Sequence, residues 1–265
     1  MTPQERLRAW GAEPTGEVWT TGSSDLIAGR RRGVPVILKV ARIEEERRGG
    51  RLLAWWSVHG GLPVLEHDDD AVLMLRATGR RSLLAFSAAG RDEEAEDVLV
   101  ETAMALHALP PPPPSVGLVP LRSWFRALID RPQEDPLLAR AAGVARVLLD
   151  EPGPVVALHG DLHHGNVLDI GDRWAAIDPK GLVGHPAFDV ANVFCNPDEE
   201  TAIRRVDRRL GRFAERLGLE PELLRAWVIA WCGLSVVWSR GVPSWHDRAA
   251  RQVAARLLDG ATRRC

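Results

Sequence analysis

The sequence predicts an α+β fold in two lobes, a small antiparallel-β lobe over residues 1–77 and a larger, mainly helical lobe over residues 78–265. Three observations predict it. Short β-favouring runs crowd the first 40 residues, apolar positions recur with a period near 3.6 from about residue 91, and a polar loop followed by a tight hairpin interrupts residues 155 to 200. A chain of 265 residues is long enough for such an arrangement, burying roughly three quarters of its unfolded surface. Its 45% apolar and 26% charged residues are ordinary for a globular protein.

The first two β runs, EVWTT from Glu17 and DLIAGR from Asp25, are joined by Gly22, Ser23 and Ser24; VPVILKV follows the Gly33 turn. Together they predict a three-stranded meander. In the third run Val36, Leu38 and Val40 share one face while Ile37 and Lys39 share the other, because strand side chains alternate. A lysine in that place is either a solvated edge residue or a cation held over a cleft. The polar run EEERRGG then precedes RLLAWW, which predicts a short helix, and AVLML at Ala71–Leu75 predicts another strand.

In the helical half Leu99, Ala103 and Leu106 form one stripe that ends before the extended run Pro110 to Pro114. Ile203, Val206, Leu210, Phe213 and Leu217 recur at spacings of three and four, predicting an amphipathic helix over residues 200 to 218 stopped by Gly218. Further helices are predicted from Pro221 to Trp238 and from Trp245 to Leu258. The apolar stretch Ala226 to Trp238 falls short of the roughly 20 residues that span a bilayer, so it reads as a buried helix and not a membrane anchor. Its tryptophans, Trp227, Trp231 and Trp238, read first as core, with a substrate surface as the alternative.

Composition excludes several chemistries. Thirty-four Lys plus Arg against thirty-six Asp plus Glu leave a net charge of -2, with no bulk attraction for nucleic acid. There is no tyrosine, so no phenol can serve as acid, base or nucleophile. Cys195, Cys232 and Cys265 are widely spaced without a CxxC pair, and MTPQERLRAW has no apolar leader; both features predict a reducing cytoplasmic setting.

The string VVALHGDLHHGNVLDIGDRWAAIDPKG carries the chemistry. Val167–Ile170 and Trp174–Ile177 read as a hairpin turned by Gly171 and Asp172. Asp161 and Asn166 lie before it and Asp178 directly after it. Two carboxylates and a carboxamide on a rigid turn suit a hard divalent cation and a proton acceptor, the needs of phosphoryl transfer. The kinase template places an Asp five residues before an Asn and a second, metal-binding Asp after the hairpin, as found here. His159, His163 and His164 with Asp161 could instead form the zinc cluster of a metal-dependent hydrolase, which would leave Lys39 and Asn166 without a role.

HGDLHHGN followed by IDP resembles the catalytic loop and metal site of aminoglycoside phosphotransferases. LKVAR, LLAWW, FDVANVFCNPD and WVIAWCGLS resemble the streptomycin 6-kinase branch, grouped with hydroxyurea phosphotransferases, and the likeness covers almost the whole chain. The resemblance implies a bilobal protein-kinase-like fold using ATP and Mg²⁺. It implies that Asp161 is the catalytic base and that Asn166 and Asp178 hold the metal. Lys39 would bind the α and β phosphates with Glu46 as its partner, beneath a phosphate-covering turn that includes Ser23 and Ser24. Met74, Leu75 and Ala77 would form the hinge that meets adenine. His159 would brace the catalytic loop, and Asp189 would anchor it unless it caps the following helix. The implied acceptor is an aminoglycoside, streptomycin at its 6-position. A polycation calls for placed carboxylates, for which Asp198, Glu199 and Glu200 are candidates beside Trp231; the same three acids could simply open a helix. A kinase for hydroxyurea or another small metabolite, and a nucleotide-binding protein without turnover, are the remaining readings.

Overall fold

The computed structural model describes residues 2–239 and 244–262. It opens with α1 (Pro3–Ala9), whose first turn is closed by a reciprocal capping box between Thr2 and Glu5. Strands β1 (Glu13–Thr20), β2 (Ser24–Arg31) and β3 (Val34–Ala41) form the meander, α2 (Glu44–Ser57) follows, and β4 (Val64–His67) and β5 (Ala71–Leu75) complete an antiparallel sheet in the order β1-β2-β3-β5-β4. The alternation read in β3 sets its two faces. Val36 and Leu38 are fully buried against Leu7, Ile27 and Leu73, while Ile37 packs on the other side with Leu53, Leu62 and Met74. Lys39, paired in register between Leu26 and Val72, shares that second face and therefore looks into the cleft.

The small-lobe helix is longer than predicted. The polar EEERRGG segment belongs to α2, which runs for 14 residues through both glycines. Gly49 explains the departure: a Cβ there would lie 2.0 Å from the Pro179 carbonyl oxygen, so its absence lets the helix rest directly on the segment after the hairpin. Helix propensity yields to this close approach.

The larger lobe contains α3 (Leu83–Ala88), α4 (Asp92–His107), α5 (Leu121–Trp124), α6 (Arg126–Ile129), α7 (Pro136–Asp150), α8 (Ala187–Ala191), α9 (Glu199–Leu217), α10 (Pro221–Trp238) and α11 (Trp245–Thr262). Three short strands, β6 (Val119–Pro120), β7 (Val156–Leu158) and β10 (Leu182–Gly184), pair in the order β6-β10-β7, and β8 (Val167–Asp169) pairs with β9 (Trp174–Ala176) as the predicted hairpin. Asp198 caps α9 by accepting from the Thr201 N–H at 2.8 Å, and Gly218 ends the helix at φ +62°. One apolar core joins α4, α7, α9, α10 and α11, and it takes in Leu52 and Trp56 of α2. Trp227 is buried in the core. Within that core Glu96 of α4 is fully buried and receives Arg205 at 2.6 and 2.7 Å and Arg209 at 2.8 Å. Helix α11 extends four residues beyond the predicted Leu258. Cys195 and Cys232 are buried free thiols, and Cys265 lies outside the described residues. No helix among the described residues is long and apolar enough to cross a membrane.

Candidate active site

The loop from His159 to Asn166 leaves β7 and enters β8, and buried groups hold it from below. Asp189 lies inside α8, whose cap position is Pro186, so it is not a helix cap. Its carboxylate accepts the backbone N–H of His159 at 2.8 Å and of Gly160 at 2.7 Å, and meets His107 Nε2 at 2.8 Å. His159 donates from Nε2 to the Ile177 carbonyl at 2.8 Å and accepts the Asp161 N–H on Nδ1 at 3.2 Å, tying the loop to the end of the hairpin. With both ring nitrogens engaged, and no group of three or more His, Cys, Asp or Glu arranged around a cation among the described residues, the zinc reading has no ligand set.

Asp161 emerges from this brace. Its Oδ1 accepts from Asn192 Nδ2 at 2.8 Å, and Asn166 Nδ2 donates to its carbonyl at 2.9 Å and to Oδ2 at 3.3 Å. Burial pushes its carboxyl above the usual aspartate value, although Lys180 and His159 pull the other way. His163 stands 3.9 Å from Asp161 and burial lowers it to about 4, so it is neutral near pH 7.

Asp178 ends the hairpin at φ +61°, a left-handed backbone that non-glycine residues seldom adopt and that active sites tend to collect. This twist turns its carboxylate back toward β3. Lys39 Nζ bridges Glu46 and Asp178, and Ser23 Oγ donates to Glu46 at 2.9 Å. Lys180 Nζ lies 3.4 Å from Asp178 Oδ2, 3.6 Å from Glu46 and 3.7 Å from Glu45. Burial opposes ionisation of Asp178, yet the charges of Lys39 and Lys180 outweigh it and hold the carboxyl well below its usual range. Burial likewise opposes the Lys180 charge, but the carboxylates around it push that ammonium up to about 12.

These groups line two cavities. The inner one, about 240 Å³, is walled by Ser23, Ser24, Lys39, Glu46, Met74, Asn166 and Asp178. Leu75 and Ala77, predicted to meet adenine, are not on its wall, and the Leu75 N–H is already donated to the Pro63 carbonyl, just ahead of β4, at 3.0 Å. The Asn166 carboxamide uses its NH₂ on Asp161, so its oxygen has no hydrogen-bond partner among the described residues, and it shares a cavity wall with Asp178. One carboxylate and one amide oxygen, completed by phosphate oxygens and water, are a donor set that suits Mg²⁺.

The outer cavity, about 850 Å³, opens on Asp161 and is walled by Trp124, Trp231, Trp238, Trp245 and His246, with Glu45 and Lys180 at its inner end. Of the four residues proposed for the acceptor, Trp231 lines this cavity and Asp198, Glu199 and Glu200 do not. Asp198 is spent on the α9 cap, Glu199 pairs with Arg248 at 2.8 Å and Gln252 at 2.9 Å, and Glu200 is absent from the wall. Glu45, Lys180 and Asn192 were missed. Each stands within three residues of a residue that was singled out (Glu46, Asp178, Asp189), and that spacing was the available clue.

Residues 9–242 match the family of aminoglycoside/hydroxyurea antibiotic resistance kinases. The chain is 43% identical over 267 residues to a streptomycin 3''-kinase of Klebsiella pneumoniae, with 96% of this chain and 100% of the relative covered. It is 32% identical over 226 residues to a streptomycin 6-kinase of Streptomyces griseus, covering 79% and 72%. Among solved structures, a thermostable mutant of aminoglycoside phosphotransferase APH(4)-Ia, in complex with ADP and hygromycin B, superposes with a TM-score of 0.64 at 17% identity over 97% of this chain and 98% of the other, and shares the protein-kinase-like fold. On the extent of these matches, the chain belongs to the aminoglycoside/hydroxyurea antibiotic resistance kinase family.

Proposed function

We propose that this protein transfers the γ-phosphoryl group of ATP to a hydroxyl of streptomycin, which would disable the drug. The observation that carries the reading is the position of Asp161, a half-buried carboxylate on the wall of the outer cavity, braced by Asn192 and Asn166, and adjoining the phosphate-type groups of the inner one. In this role Asp161 orients the acceptor hydroxyl and takes its proton as the oxygen bonds to γ-phosphorus and the bond to the β-bridging oxygen breaks. Lys39, held by Glu46, binds the α and β phosphates, and the Ser23–Ser24 turn covers them. Asp178 and the Asn166 oxygen would hold Mg²⁺, which when bound supplies charge neutralisation to the phosphates.

The outer cavity supports a large, cationic acceptor. Its volume lies at the upper end of ligand pockets, roughly 300–1,000 Å³, which suits a drug of several rings far better than hydroxyurea. Four tryptophans offer π faces to guanidinium groups, and Glu45 adds a carboxylate. The hydroxyl we assign is the 3''-hydroxyl and not the 6-position suggested by sequence strings, because identity to the 3''-kinase, 43%, exceeds the 32% to the 6-kinase. An ADP-release assay with streptomycin, hydroxyurea and a kanamycin-type drug tests the acceptor, and ³¹P-coupled NMR of the product tests the position. No streptomycin-dependent ADP release would overturn the first reading; phosphate on the 6-oxygen would overturn the second.

A further inference from the structure

Among the residues that wall the two cavities, Lys180 alone belongs to both. It therefore stands on the path between the phosphates of a nucleotide and the hydroxyl of an acceptor. Its backbone is clamped from two sides: the N–H donates to the His159 carbonyl at 2.6 Å, and the carbonyl accepts Arg48 Nε at 3.0 Å. The side chain is 15% exposed. It is surrounded by charge without being saturated, since among the described residues Asp178 at 3.4 Å is its one side-chain contact within hydrogen-bond reach and Glu45 and Glu46 stand at 3.7 and 3.6 Å. Lys39, by contrast, is closely engaged by two carboxylates.

We propose that Lys180 is a catalytic residue of the transfer, its ammonium contacting the γ-phosphoryl oxygens as the group passes from the inner cavity to the outer one. This rests on the phosphotransfer reading above. The group in flight spreads negative charge over its equatorial oxygens, and a fixed donor already aimed at that place stabilises it without reorganisation. Lys180 keeps its own protons throughout. The oxygen–phosphorus bonds form and break between acceptor, γ-phosphorus and ADP, and the hydroxyl proton goes to Asp161. Balancing the local acids is a second task of the same side chain, and the two can be separated by experiment.

The test is Lys180→Met beside wild type, with Lys180→Gln as a second variant and Lys180→Arg as the charge-conserving control, each first checked for an unchanged thermal melt. Calorimetric titrations with Mg²⁺ present compare ADP with the non-hydrolysable AMP-PNP, and steady-state rates are measured with streptomycin. Loss of one charge-assisted donor should weaken AMP-PNP about tenfold while ADP stays within about twofold, and should lower kcat on the order of 100-fold, with partial recovery in Lys180→Arg. Equal weakening of ADP and AMP-PNP, no weakening of either, or a kcat within about threefold of wild type would overturn the assignment. Wild type that releases no ADP with any aminoglycoside would refute the acceptor reading instead, and the ADP against AMP-PNP comparison would still decide whether Lys180 meets the γ-phosphoryl group.

Discussion

Replacing Asp189 by asparagine keeps its shape and removes its charge, which makes it a sharp probe of how the catalytic loop is held. The wild-type carboxylate is 1% exposed and accepts on both oxygens: Gly160 N–H on Oδ1, and His159 N–H with His107 Nε2 on Oδ2. An asparagine has one acceptor oxygen, so either flip turns its NH₂ toward a buried N–H. If the oxygen stays with His159, the Gly160 N–H is orphaned; if it stays with Gly160, the His159 N–H is. Leaving one buried donor unpaired costs about 1–3 kcal/mol, and loss of charge from the bonds that remain brings the total to about 2–5 kcal/mol. At roughly 2–4 °C per kcal/mol in a chain of this size, the melt should fall by about 4–20 °C. Because His159 and Gly160 immediately precede Asp161, a shift of about 1 Å in the loop should also lower kcat by about 100-fold. Thermal melts, and turnover measured well below the new Tm, read the two effects separately. A melt within 2 °C of wild type together with a kcat within about threefold would refute the anchoring argument.

Four further outcomes follow from the same geometry. Asp161→Asn should retain MgATP binding while kcat falls by about 10²–10⁴, because the proton acceptor is lost and the nucleotide groups are not; since burial raises the Asp161 pKa, the acid limb of the wild-type rate profile should lie above the ordinary aspartate range, activity being lost as pH falls through it. Glu96→Ala strands Arg205 and Arg209 in the core and should cost about 3–5 kcal/mol in urea unfolding, whereas a surface pair such as Arg122 with Asp150 should cost no more than about 1. His164 is buried with neither ring nitrogen bonded among the described residues, and burial holds it at about 3; below its ordinary value near 6.5 the unfolded chain takes up the proton first, so stability should fall by about 1.4 kcal/mol per pH unit between roughly pH 6 and 4 from this group, a slope that His164→Leu should remove. Trp231→Ala should raise the KM for streptomycin about tenfold and leave that for ATP unchanged if the aromatic wall holds the drug; an unchanged KM would return Trp231 to a purely structural role.

Local pattern determined a large part of this protein. Period-two alternation in VPVILKV put Lys39 on the face opposite Val36 and Leu38, and the structure has that arrangement because each face of β3 meets a different apolar cluster. The turn glycines, the Asp198 cap and the Gly218 stop act within a few residues of themselves, so α9, α10 and the β8–β9 hairpin were legible from spacing alone. Asp161, Asn166 and Asp178 were legible for the same reason, since a loop and one hairpin hold all three. Contacts across long sequence separations were not legible. Whether Asp189 caps a helix or anchors a loop depends on the chain folding back across a separation of 30 residues, measured by the His159–Asp189 hydrogen bond. The wall of the outer cavity draws on α2, α5, α10 and α11 at once, and only their packing shows that it is aromatic, with Glu45 as its acid, while Asp198–Glu200 do not line it. Lys180 carries no local signal in IDPKG; its place between two cavities depends on α2 coming down on Pro179 over Gly49. Side-chain alternation and capping are short-range and readable in order along the chain, whereas a cavity is an intersection of distant segments, and burial decides which of its charges matter.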